Sequence, residues 1–198
     1  MTVATAKPVL LQLDAANQTV TYQGFTIDAP PSPSGQGQFV NTPYPSSPEV
    51  VAKTSIEISA GNGEQKPVYT TVTAQFYWNE IYSVETQNGS ASHTVSYTYG
   101  VQSSTSETET FAVSIGLEES ATFAGIGEKL SASFTASTGI TNTITLDQST
   151  TTSDTFNFDA NTTAQVWQLI QVFEDSGGDS LTQSLVEYLL LTYPAPPS

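Results

Sequence analysis

One histidine, no cysteine and no arginine leave this 198-residue chain few ways to do chemistry. A Ser-His-Asp triad would have to run through His93, and no Gly-x-Ser-x-Gly turn accompanies it. His93 falls in an alternating strand pattern, on the side shared with apolar residues, and reads as a packed strand residue rather than a base. Without cysteine there is no thiolate metal site, no thiol nucleophile and no disulfide. No Gly-x-x-x-x-Gly-Lys phosphate loop is present. Glu174-Asp175-Ser176-Gly177-Gly178-Asp179 gathers carboxylates, but it lacks the Asp-x-Asp ladder and closing Glu of a calcium loop and reads as an acidic turn. The three Asn-x-Ser/Thr sequons at Asn17, Asn88 and Asn161 are frequent by chance in so Thr-rich a chain. The expectation is a protein that is not an enzyme, with no catalytic, cofactor or metal residues.

Charge narrows the partners. Nineteen acids stand against four lysines (Lys7, Lys53, Lys66 and Lys129), for a net charge of -15. Phosphate binding works by displacing counterions with cations, so nucleic acid is excluded as a partner. Anionic lipid would also repel this surface. Charged residues are only 12% of the chain, while Ser and Thr exceed a quarter, so the surface is rich in hydroxyls rather than ions. The hydrophobic share of 37% suffices for a core. No run of 18 apolar residues is present, so no transmembrane helix is encoded. The segment MTVATAKPVLLQLDAANQ lacks a basic start followed by an apolar run, so no classical signal peptide is expected.

The elements read almost entirely as strands. Val9, Leu11 and Leu13 alternate, and Thr19 to Ile27 suggests a hairpin around Asn17-Gln18. A Pro- and Gly-rich loop covers 29–37, and Pro43, Pro45 and Pro48 extend the region expected to lack regular structure. Phe39 and Tyr44 there, with Trp78 further on, are candidate receptor contacts. Strands are expected at 51–59 and 68–86, and Asn88-Gly89 is a hairpin turn signal. Ser180 and Gln183 could make a capping box, but 180–191 reads better as a closing strand.

The informative stretch lies between. From Ser92 to Leu117 residue character alternates without a slip. Val95, Tyr97, Tyr99, Val101, Phe111, Val113, Ile115 and Leu117 fall on one side, and Ser, Thr, Gly and Ala on the other. A strand of that length would extend roughly 80 Å at about 3.3 Å per residue. The return segment mirrors it, with Leu130, Ala132, Phe134, Ala136, Ile140, Ile144 and Leu146 on even positions. Folding Leu117 against Leu130 puts the apolar residues on one face and small hydroxyl residues on the other. Between the arms, Ala121, Phe123 and Ile126 form an apolar tip flanked by Glu118, Glu119, Glu128 and Lys129. Long sandwich strands or a fibrous β-structure would explain the apolar face. A membrane-inserting hairpin also explains the hydroxyl face and the apolar tip, because a barrel strand needs about 9–11 residues, apolar outward and polar inward. Glu107 and Glu109 share the apolar parity, so the apolar band starts at Phe111.

These Ser/Thr-rich strands, the Phe111–Phe134 hairpin and the strand from Phe156 to Phe173 resemble the pore-forming module of the aerolysin and epsilon-toxin superfamily over about half the chain. The resemblance implies an all-β, elongated fold of long antiparallel twisted strands with an amphipathic insertion hairpin packed on the sheet. It implies residues 1–66 as an N-terminal β and loop region contacting a receptor, and 67–198 as the pore-forming module with its hairpin at about 107–140. It further implies a secreted cytolysin that meets a target-cell membrane and an unknown receptor, forms a homo-oligomeric ring and inserts one hairpin per copy. Phe111, Val113, Ile115, Leu117, Ala121, Phe123, Ile126, Leu130, Ala132 and Phe134 would then face lipid. Acid is expected to help by neutralising Glu118, Glu119 and Glu128. The competing expectation is a carbohydrate-binding or adhesive β-sandwich with Tyr69, Phe76, Trp78 and Tyr82 as its platform.

Overall fold

The computed structural model describes residues 9–23, 25–30, 44–59, 65–141 and 143–194; across 44–69 it is the backbone pairing that is described. The chain is mostly β, built on long antiparallel strands as expected. In order, these are β1 (Val9–Leu10), β2 (Leu13–Asp14), β3 (Thr19–Tyr22), β4 (Phe25–Asp28), β5 (Tyr44–Ser59), β6 (Gln65–Glu85) and β7 (Ala91–Val101). Two helices follow, α1 (Thr105–Ser114) and α2 (Phe123–Thr138), and then β8 (Thr150–Phe158), β9 (Thr162–Asp175) and β10 (Ser180–Pro194). The main sheet runs β5-β6-β9-β10-β7-β8 with β1 added parallel to β10, and β2-β3-β4 form a second, small sheet. Residues 180–191 are strand: burial alternates from Leu181 to Leu185, and β10 pairs along β9 from Ser180 to Pro194.

β9 forms the spine. Ala164 to Leu169 are all buried, which requires cover on both faces of the strand. Trp167 and Leu169 point to the small sheet, where they pack with Val20, Tyr22, Phe25, Ile27, Phe76 and Trp78. Ala164 and Val166 point the other way, to Val95, Phe156 and Phe158 of the β7–β8 ribbon. Buried glutamines tie the layers together. The Gln168 Nε2 donates to the Thr98 carbonyl at 2.8 Å and to the Leu185 carbonyl at 2.9 Å, within the stretch between Ser184 and Tyr188 where the β9–β10 register shifts.

Three expectations are corrected. Asn88-Gly89 does not close a hairpin. β6 pairs with β5 and β9, β7 pairs with β8 and β10, and the turn carries the chain from one layer to the next. Pro45 and Pro48 fall inside β5, which starts at Tyr44 rather than after the prolines. β5 is the outermost strand and its register shifts between Ser46 and Val50, the places where a missing donor is tolerated. The stretch from Phe156 to Phe173 is two strands broken at 159–161, with Asn161 at a φ of 57°.

The Pro- and Gly-rich 29–37 loop, Phe39 and the turn at 61–63 lie outside the described residues, apart from Ala29 and Pro30. Trp78 is 0% exposed, and its Nε1 donates to the Asp28 carbonyl at 2.7 Å, fastening the small sheet to the large one. Trp78→Phe keeps most of the ring but orphans that carbonyl. It is expected to lower unfolding stability by about 1–3 kcal/mol in urea titration, with the fold retained.

Candidate functional site

The chemistry-bearing groups do not assemble. The His93 ring stacks on Tyr82 with centroids 4.3 Å apart and planes 9° from parallel. Among the described residues no cluster of His, Asp or Glu could hold a metal ion. The acidic turn is closed on itself: the Asp175 Oδ1 accepts from the backbone N–H of Gly177 and of Asp179, both at 2.8 Å. The expected aromatic platform does not form one surface: Tyr82 is half-buried, and the Tyr69 side chain lies outside the description. Phe76 and Trp78 are buried in the core, which removes Trp78 as a receptor contact as well. Tyr44 contributes a backbone pair to Trp78, and its side chain is outside the description.

The apolar hairpin does assemble, but as helices. Residues 105–114 and 123–138, expected as strands, form α1 and α2. Strand parity and helix periodicity coincide at steps of four, and Phe111/Ile115 and Ile126/Leu130/Phe134 satisfy both. Positions at steps of two separate them. Val113 is 46% exposed and Ala132 is exposed, whereas in a strand both would share the face of Phe111 and Phe134. Ser104 opens α1 with a reciprocal capping box: its Oγ accepts from the Glu107 N–H at 3.3 Å, and the Glu107 carboxylate accepts from the Ser104 N–H at 2.7 Å. Ser180 and Gln183 carry the same spacing without that outcome, because the alternation after them pairs with β9. Thr122 caps α2, and Gly139, at a φ of 71°, ends it.

The helices cover one end of the main sheet. Phe111, Ile115, Ile126, Leu130 and Phe134 are at most 1% exposed and pack with Val72, Ala74, Phe173 and Leu181. Leu117, Ala121 and Phe123 pack against that cluster from its rim. Glu118, Glu119 and Glu128 are exposed, and Lys129 is half-buried. Ile144 and Leu146 complete the cluster from the return segment. The Ile144 N–H donates to the Ser131 Oγ at 2.8 Å, and a Cβ on Gly127 would lie 2.6 Å from the Ile144 carbonyl oxygen, so this segment lies directly along α2.

Burial rather than intrinsic preference holds these helices. The hydroxyls of Thr108, Thr110, Ser131, Ser133 and Thr138 donate back to carbonyls four residues earlier, an arrangement that mildly weakens a helix.

Solved structures similar to this chain include the following two. One is Cry35Ab1, at a TM-score of 0.45 and 11% identity, covering 85% of this chain and 54% of that one. The chain thus spans about half the length of Cry35Ab1. The other is the oligomeric pore-forming toxin pro-Monalysin, at a TM-score of 0.40 and 13% identity, covering 76% of this chain and 71% of that one. No family model and no curated protein matches the sequence. Side-chain roles are read from this chain's own geometry.

Truncating Phe111 or Phe134 to Ala removes a fully enclosed ring and is expected to cost about 3–5 kcal/mol of stability. The same loss should appear in urea and thermal unfolding. The capping box also gives α1 a pH dependence. The backbone hydrogen bond from Ser104, and then its side chain, hold the Glu107 carboxyl below the ordinary glutamate range. A lowered value in the folded state means the contribution is present above the unfolded value and is lost as pH falls through the folded one. The protection of the first-turn amides of α1, relative to their intrinsic exchange at each pH, should therefore fall below the ordinary glutamate range. Glu107→Gln keeps an acceptor for the Ser104 N–H and should flatten that response.

Proposed function

We propose that the protein is a pore-forming cytolysin, released as a water-soluble monomer, that assembles as a ring on a target membrane and inserts the 105–140 segment of each copy as a β-hairpin. The observation that carries this reading is the way the segment is attached. It is an insertion between two strands already paired with each other, β7 and β8. Its large apolar side chains pack on the sheet, and its water-facing side carries hydroxyls together with Glu107, Glu109, Glu118, Glu119 and Glu128. Such a segment can leave without dismantling the ladder that flanks it.

The energetics set the order of events. The half-dozen large side chains are buried already, each worth about 1.5–3 kcal/mol against water. Moving them from protein to lipid is therefore close to neutral, while a transit through water is costly. A lone hairpin in lipid would also leave two rows of backbone groups unpaired. Neighbouring copies supply those partners, so assembly precedes insertion. The net charge of -15 favours uncharged or zwitterionic lipid over anionic lipid. With Phe76 and Trp78 buried, the carbohydrate-binding reading loses the centre of its aromatic platform.

The test is dye release from zwitterionic vesicles together with the appearance of an SDS-resistant oligomer. A lock supplies the control. The Thr182 N–H donates to the Ser103 Oγ at 3.0 Å, and the Gln102 N–H to the Thr182 carbonyl at 2.8 Å, so the chain entering α1 lies on β10. Oxidised Ser103→Cys/Thr182→Cys should abolish leakage, and reductant should restore it. Leakage from the oxidised form would contradict release of this segment, and binding without leakage from the unmodified protein would contradict pore formation.

A further inference from the structure

We infer that the β7–β8 ribbon is the template for the inserted hairpin and sets its register, with Gly100 as the hinge about which the helical segment straightens. This inference rests on the pore-forming reading and specifies the state that the 105–140 segment would reach.

The antiparallel ladder runs without a shift from Ala91 opposite Phe158 to Tyr99 opposite Thr150 and stops there; Val101 meets Gln148 only as an isolated parallel bridge. Carried inward one residue at a time, the same register pairs Glu109 with Ile140, Phe111 with Thr138, Val113 with Ala136, Ile115 with Phe134, Leu117 with Ala132 and Glu119 with Leu130. It closes on a two-residue turn at Ala124-Gly125, where Gly125 supplies one of the two positive φ angles that a type I′ turn requires. The parity is right for both faces. The apolar side continues the inward face of the ribbon, where Val95, Tyr97, Tyr99, Phe156 and Phe158 are buried. The hydroxyl side continues its outward face, where Thr94 meets Thr155 at 2.9 Å and Thr98 meets Thr151 at 3.1 Å. This register differs by two residues from the Leu117-to-Leu130 pairing that the hydrophobic pattern alone suggests. It leaves nine residues between Glu109 and Glu119, so carboxylates bound the apolar band at both ends, and the band matches the roughly 9–11 residues of a spanning strand.

Gly100 is where the ribbon now breaks. Its φ is 96°, and a Cβ there would lie 2.6 Å from the Gln148 carbonyl oxygen and 2.8 Å from that of Asp147. Beyond it the chain turns onto β10 through the Gln102-to-Thr182 hydrogen bond. Only glycine fits this bend, whereas an extended strand accepts any residue.

The chain has no cysteine of its own, so paired cysteines report without background. Val113 and Ala136 are exposed in the folded monomer. α1 lies against β10 and α2 against β5, and the two positions sit on the water-facing sides of separate helices rather than opposite each other in a ladder. Val113→Cys/Ala136→Cys should therefore stay reduced in solution and cross-link on phosphatidylcholine–sphingomyelin vesicles, while Val113→Cys/Thr138→Cys, offset by two, should cross-link far less. Circular dichroism should show helix lost as the cross-link forms. Leakage with equal or reversed cross-linking overturns the register and leaves the pore reading standing. Helix retained, with neither leakage nor cross-link, overturns both. As an independent readout, Gly100→Ala should hasten helix loss on vesicles relative to the unmodified protein. Slower or unchanged loss in a folded Gly100→Ala variant overturns the hinge.

Discussion

An apolar face with no strand to pair with it governs the centre of this molecule. Between Gly100 and Thr150 the chain carries Phe111, Ile115, Ile126, Leu130 and Phe134, which water will not tolerate exposed. The sheet offers these side chains a surface at the end bearing Val72, Ala74, Phe173 and Leu181. Helices meet that demand cheaply, because they satisfy their own backbone groups and turn one stripe of side chains inward. The strands beneath can then be organised for their own ends, with β9 buried on both faces and the buried glutamines bridging the layers.

The frame was legible because its signals were redundant. Alternation, β-branched and aromatic residues and turn chemistry all pointed to strands at β6, β7, β9 and β10. The central segment was misread because its large apolar residues recur every fourth position, which two periodicities share. The residues that break the tie are small. Val113 and Ala132 turn outward while Ala112 and Ser133 turn in. The Ser104-x-x-Glu107 box is the local sign of a helix start, and the strand expectation takes no account of it. The layer change at Asn88-Gly89 could not be read locally, because the choice of partner for β6 is made by β9, more than seventy residues later.

The conflict between parity and observed structure is itself informative. Sequences usually agree with their fold at every level, and departures concentrate where a segment serves more than one arrangement. Residues 105–140 carry helix caps at their ends and strand alternation along their length. The hydroxyls that bond back along α1 and α2 are a weak compromise for a helix and an ordinary outward row for a strand.

The outward row of the β7–β8 ribbon has a consequence of its own. Ser, Thr and Gly line it, and the stretches Ser104–Gly116 and Ser131–Thr145 would continue it with no ionisable side chain at the positions sharing that face. A channel wall of this kind would hydrogen-bond water along its length and hold its charged groups at the far rim, where Glu118 and Lys129 share that face. Any choice between anions and cations would then be made at that rim rather than along the wall.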